Sequence, residues 1–208
     1  MKIKYAPLGQ LGANFYIVTD ETANEMFVVD PGDCADVIKE LINDTGATLK
    51  YIVLTHAHTD HIGALDDIKK AFDVPIVIHR DEADRLNDGA SNLCPAFGQK
   101  SPSAKADICV NDGETLNVGK STIRFLHTPG HTPGSMCVLF DDKLISGDTI
   151  FYTSIGRTDL PGGSYEALCT SIKKKIYTLN PGTVIYPGHG ETTTVGYEIM
   201  YNPFVKGN

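Results

Sequence analysis

Short apolar bursts separated by polar turns open the chain, and Ile3 to Tyr5, Asn14 to Thr19 and Met26 to Asp30 each predict a strand. The period then changes. Between Ala35 and Asn43, Val37, Ile38, Leu41 and Ile42 share one face at helical spacing, and Asp33 stands where an N-cap is expected. Leu49 to Leu54 is rich in β-formers and reads as a buried strand. A helix is expected from about Ile62 to Ala71, and a further buried strand at Pro75 to His79. Gly89 to Lys105 is rich in Ser, Pro, Asn and Gly and reads as a long loop, either bordering a site or simply connecting. Short strands return from Ile108 to Ser146, with turns at Asn111-Asp112-Gly113 and Asp141-Asp142. Tyr165 to Leu179 predicts an amphipathic helix, Val184 to Tyr186 a last strand, and Val195 to Met200 a short terminal helix. Strand-rich segments with helices in both halves predict an α/β chain of two packed sheets with helices outside. With no linker or repeat in view, residues 1–208 are expected to form one domain.

Composition narrows the function. A hydrophobic fraction of 41% and a charged fraction of 21% are ordinary for a globular protein. The net charge of −8 disfavours binding to a nucleic-acid backbone or an anionic membrane. Met1 to Tyr5 carries two lysines with no apolar run behind them, and the longest apolar runs are far too short to span a bilayer. A cytoplasmic protein acting on a small molecule is therefore expected, with neither nucleic acid nor membrane as partner; oligomeric state is left open. The five cysteines lack CxxC spacing and are expected to be reduced and mostly buried.

The chemistry sits in the histidines. His56-x-His58-x-Asp60-His61 follows a predicted strand directly, and extended backbone sends His56 and His58 to one side, where two ring nitrogens converge on one ion. Asp60 and His61, where the chain turns toward a helix, are free to serve a neighbouring position. His131 lies in Thr128-Pro129-Gly130-His131-Thr132-Pro133-Gly134, a tight turn after the strand Thr122 to His127. Asp148 follows the strand Lys143 to Ile145, and His189 in Pro187-Gly188-His189-Gly190 follows the last strand. Each is weak alone; their shared placement at strand ends gives them weight. His79 and His127 are read as structural. Arg157 and Asp159 are read as a pair bracing a glycine-rich loop, with Arg157 meeting an anionic substrate as the other possibility.

In this order, His-x-His-x-Asp-His followed by His131, Asp148 and His189, the chain resembles the metallo-β-lactamase superfamily over essentially its whole length. The resemblance implies a four-layer αββα sandwich with a dinuclear metal site between the sheets. It implies His56, His58 and His131 on one ion, Asp60, His61 and His189 on the other, and Asp148 bridging, with Asp60 and Asp148 as the catalytic carboxylates. Asp30-Pro31-Gly32 resembles the family segment whose Asp supports the metal loop without binding metal. Within the superfamily, Gly156 to Gly163 and Tyr197 to Phe204 resemble the short, single-domain glyoxalase II-like hydrolases. The Asp at 148 differs from those zinc β-lactamases that carry Cys there.

Two divalent ions are implied, zinc first, with iron or manganese also suited to His and carboxylate ligands. A metal-bridging hydroxide attacking a small thioester, with S-lactoylglutathione a candidate, is the expected reaction. Longer glyoxalase II enzymes have a C-terminal helical region with basic residues for glutathione, whereas this chain has one cation, Lys206, after His189. The alternatives are a mononuclear iron persulfide dioxygenase, which Gly156-Arg157-Thr158-Asp159 also resembles, a hydrolase of another ester, lactone or phosphodiester, and a metal-bound scaffold without turnover.

Overall fold

The computed structural model describes residues 1–207. The N-terminal half builds one sheet from β1 (Lys2–Leu8), β2 (Ala13–Asp20), β3 (Glu25–Val29), β4 (Thr48–Val53), β5 (Ile76–His79) and β6 (Ile108–Val110). These strands lie in chain order, antiparallel as far as β3 and parallel from β3 to β6. Between them run α1 (Ala35–Asn43), α2 (Thr59–Ile62), α3 (Leu65–Phe72) and α4 (Gly89–Asn92).

The C-terminal half adds β7 (Thr115–Val118), β8 (Ser121–His127), β9 (Met136–Phe140), β10 (Lys143–Gly147), the small hairpin β11 (Ile150–Phe151) and β12 (Ser154–Ile155), and α5 (Tyr165–Ser171). β13 (Val184–Pro187), β14 (Thr193–Thr194) and α6 (Val195–Tyr201) complete it. The second sheet runs β14-β13-β10-β9-β8-β7, with β10 and β13 its parallel pair.

Side-chain alternation sorts the core into three layers. On β2, Phe15 and Ile17 face α1 and α3, packing with Ile38, Ile42, Leu65 and Ile68. Their neighbours Tyr16 and Val18 face the second sheet, where Phe27 meets Phe140 edge-on at 5.9 Å. Beyond that sheet, Leu144 and Ile185 pack against Leu168 of α5 and Val195 of α6. Helix, sheet, sheet, helix is the αββα order expected. Among the described residues no helix is long and apolar enough to cross a membrane.

Several local expectations need correction. The residue before α1 is Cys34, in a left-handed conformation, and Asp33 accepts the Cys34 N–H without capping the helix. Val37, expected on the buried face of α1, is exposed. The helix expected from Ile62 begins instead at Leu65, after the separate short helix Thr59–Ile62, because Ala64 leaves helical backbone at φ −96° and ψ 2°. Gly89 to Lys105 is not all loop; it holds α4 and a helical turn at Cys94–Phe97. The helix from Tyr165 passes into a π-helical segment, Ile172–Ile176, and stops short of Leu179. The cysteines are free, but Cys34, in the turn before α1, and Cys109, on the edge strand β6, are exposed.

Candidate metal centre

The carboxyl ends of β4, β10 and β13 and the turn between β8 and β9 open on one edge of the sandwich, and all seven predicted site residues meet there. His56, His58 and His131 form one group with ring nitrogens within 4.8 Å of each other. His58 Nδ1 faces His131 Nε2 at 2.9 Å. Asp60, His61 and His189 form a second group, in which His189 Nε2 lies 3.2 Å and His61 Nε2 3.8 Å from Asp60 Oδ2. Asp148 stands between them. Its Oδ1 is 3.4 Å from His61 Nε2, and its Oδ2 is 3.5 Å from His131 Nε2 and 3.6 Å from His189 Nε2.

Hydrogen bonds behind the rings decide which nitrogen is free. Asp30 Oδ1 accepts the Thr55 N–H at 2.8 Å, while its Oδ2 accepts the Thr55 hydroxyl at 2.6 Å and His61 Nδ1–H at 2.8 Å. The Thr55 oxygen in turn accepts His56 Nδ1–H at 3.1 Å. His131 Nδ1–H donates to the Arg157 carbonyl at 2.7 Å. The Nε2 atoms of His56, His61 and His131 are thereby turned inward as lone-pair donors. Asp30 holds this arrangement at a left-handed φ of 54°, a strained position for a non-glycine residue. These bonds tie Asp30 to the metal loop, as expected, and it also lies in a close group with His56 and His61.

The buried polar atoms fit a cation. His56 Nε2, His58 Nε2, His61 Nε2 and Asp148 Oδ1 are buried with no hydrogen-bond partner. Such atoms are costly unless something positive engages them. Burial, then the neighbouring imidazoles, pushes His56 well below the usual histidine range and His58 down to about 3. Burial acts the same way on His61, but Asp60, Asp148 and Asp30 overcome it and hold His61 well above that range. His189 is likewise raised, its hydrogen bond to Asp60 and the charge of Asp148 outweighing burial. Burial opposes ionisation of Asp148, and His61 and the other rings more than reverse it. Three nitrogens in one group, and two nitrogens with a carboxylate in the other, are donor sets that zinc, iron and manganese accept.

The histidine spacing gave no hint of some supporting residues. Glu82, fully buried, accepts the Ala57 N–H at 3.0 Å, and the Thr132 hydroxyl and Gly134 N–H both at 2.9 Å. One carboxylate thus clamps the loop of His56 and His58 to the loop of His131. Its segment, Arg80-Asp-Glu-Ala-Asp-Arg, reads as a solvated charge run, so only tertiary placement exposes the role. Asn14 Nδ2 donates to the carbonyls of Pro187 at 2.9 Å and Gly190 at 3.0 Å, and Tyr16 also donates to Pro187. A polar Asn inside an apolar strand was the one available signal. Gly188 is required because a Cβ there would run into Asp148 Oδ1. His79 and His127 stay outside the site, stacked at 3.8 Å. Arg157 and Asp159 pair through two hydrogen bonds of 2.8 Å.

Known proteins share this fold. The model of the metallo-β-lactamase superfamily matches residues 8–189. A hydroxyacylglutathione hydrolase, GloC, from Haemophilus influenzae is 34% identical over 99% of both chains. The crystal structure of BLEG-1, a B3 metallo-β-lactamase, superposes with a TM-score of 0.93 at 37% identity, covering 99% of this chain and 100% of its own. A second crystal structure, TTHA1623 in a di-iron-bound form, gives 0.84 at 34% identity, over 97% of this chain and 100% of its own.

Proposed function

Since the chain belongs to the metallo-β-lactamase superfamily, we propose that it is a dinuclear metal-dependent thioesterase of one domain, working on small molecules in the cytoplasm. The observation that carries this is the convergence of seven side chains on a centre with four unpartnered buried polar atoms. His56, His58 and His131 would hold one ion and Asp60, His61 and His189 the other, with Asp148 placed between the two groups. Zinc suits both donor sets best, and the di-iron relative makes iron the alternative. Divalent ions bound there lower the pKa of water to about 7 and polarise a carbonyl.

The chain's own groups prepare the rest. Asp30, Glu82 and the Arg157 carbonyl fix the rings, so little reorganisation accompanies reaction. Asp60, which lines the cleft and is held below the usual carboxylate range, would take the proton released as water adds to the carbonyl carbon, through the oxygen not engaged by its ion. The carbon–sulfur bond breaks, the electron pair leaves on sulfur, and the proton ends on the thiol, giving one acid and one thiol. A thiolate, whose conjugate acid has a pKa of about 8.5, leaves without prior protonation.

β-Lactam hydrolysis is the second reading, favoured by the likeness to BLEG-1 and compatible with Asp at 148. An amide nitrogen must gain a proton as it leaves, a demand the thioester does not make. The test is elemental analysis of protein purified without chelator or histidine tag, followed by assays on thioesters, a chromogenic β-lactam and a persulfide. Two ions per chain with thioester turnover is the expected result. A single iron with oxygen consumption on the persulfide would replace it with the dioxygenase.

A further inference from the structure

The cleft above the candidate centre has two arms. The larger, about 530 Å³, runs over His58, His131, Asp148 and His189 and is walled by Leu93, Ala96, Phe151, Ile155 and Leu160. The smaller, about 250 Å³, is lined by Gln10, Asp33 and Gln99 with the backbone of Gly9 and Gly32. Leu11 and Phe97 border both arms, together with Thr59 and Asp60. They stand 47% and 53% exposed, two large apolar side chains left in water at the mouth of a cleft. Apolar surface so placed marks a ligand contact.

The wall is built to stay where it is. Leu93 sits at a left-handed φ of 66°, a costly conformation for leucine. The fully buried Asn92 holds it there, accepting the Cys94 N–H and donating to the Leu86 carbonyl and the Ser101 hydroxyl, each at 3.0 Å. The segment that reads as a featureless loop thus presents Leu93, Ala96 and Phe97 to the cleft from a braced turn. Charge points the same way. Among the described residues lining the two arms and outside the ligand set, Arg157 is the one cation, and Asp159 pairs with its guanidinium. Asp33 lines the smaller arm as an acid.

On the premise that the chain hydrolyses thioesters, we propose that its cleft selects substrates with an apolar chain on one side of the scissile bond and an uncharged, hydrogen-bonding group on the other, and disfavours glutathione thioesters. The apolar chain lies in the arm of Phe151, Ile155 and Leu160. Gln10 and Gln99 bind the uncharged group. In the smaller arm a carboxylate of glutathione would lose water beside Asp33, with no cation lining that arm to receive it. This separates the chain from its GloC relative in the group recognised while keeping the bond cleaved.

Non-hydrolysable thioethers test selection apart from catalysis. S-alkyl-N-acetylcysteamines from ethyl to hexyl, and the matching S-alkylglutathiones, would be titrated calorimetrically into the metal-loaded protein. Affinity for the first series is expected to rise about fourfold per methylene, with an increasingly negative heat-capacity change. The hexyl glutathione thioether is expected to bind at least about tenfold more weakly than its N-acetylcysteamine counterpart. Phe97→Ser, on an exposed turn, and Ile155→Asn should each cut the increment to below about twofold. A flat series, tighter binding of the glutathione thioethers, or unchanged increments in both variants overturns the proposal. If the series holds but none of the corresponding thioesters is hydrolysed, the proposed activity falls and this selection stands.

Discussion

The two halves of the candidate centre solve one problem, holding a cation, in opposite ways. The His56, His58 and His131 group consists of imidazoles alone, all of them buried at the floor of the cleft. Burial keeps His56 and His58 neutral, so they meet an ion with lone pairs already available. The Asp60, His61 and His189 group contains a carboxylate and opens to the cleft, with the His189 side chain 29% exposed. There the raised histidines and lowered aspartates neutralise one another, and an ion must displace protons to enter. Similar ligand counts therefore do not make equivalent sites. The first is ready to bind at neutral pH; the second competes with its own internal ion pairs.

The largest effect is expected where the comparison meets its hinge. Asp148→Asn, placed between the groups, should lower thioester kcat/KM by about a thousandfold or more and reduce bound metal, read by kinetics and elemental analysis. An unaltered metal content would mean that Asp148 serves neither group. Next, graded chelation should strip one ion before the other, the exposed group emptying first. His189→Ala should leave about one ion per chain, held through the stripping step that empties the wild type's second site. Glu82→Gln touches the loops of the imidazole group alone and should cost about 10- to 100-fold in affinity for the tighter ion. Asp30→Asn, which supports both His61 and Thr55, should weaken both ions.

The smallest effect is in the stability of the metal-free protein against pH. His56 and His58 titrate below their unfolded value of about 6.5, so their contribution is present above it and is lost as pH falls. His61 and His189 titrate above that value, so theirs is present below it and is lost as pH rises through their folded values. Thermal melts after chelation should therefore be highest near neutrality. His61→Gln should flatten the alkaline side, and a steeper alkaline decline in that variant would contradict the assignment.

The seven candidate ligands were legible because they follow short local spacing and strand ends: His56 and His58 are two apart, and Gly188 must be small to let Asp148 approach. The alternation on β2 gave the layers for the same reason. Glu82 was not legible, since its three partners come from residues 57, 132 and 134 and meet only in the folded chain. Leu93 and Asn92 were missed because Ser, Pro, Asn and Gly around them signal a loop without saying that a buried amide rigidifies it. The split helix after His61 was hidden because its helical period continues across Ala64, an ordinary helix former whose backbone leaves the helix there.

The division of the two sheets between the halves of the chain bears on the order of events during synthesis. His56, His58, Asp60 and His61 emerge with the first sheet, whereas His131, Asp148 and His189 arrive with the second. Each group draws members from both halves, so the imidazole group waits for residue 131 and the other for residue 189, and both wait for the sheets to close. The nascent first half carries His56, His58, Asp60 and His61 with neither group complete. Metal choice is then made by the finished fold against the ions in its surroundings, at the last stage of assembly, and ion uptake locks the two halves together. At a free-ion concentration 1,000 times the dissociation constant that lock adds about 4 kcal/mol against reopening.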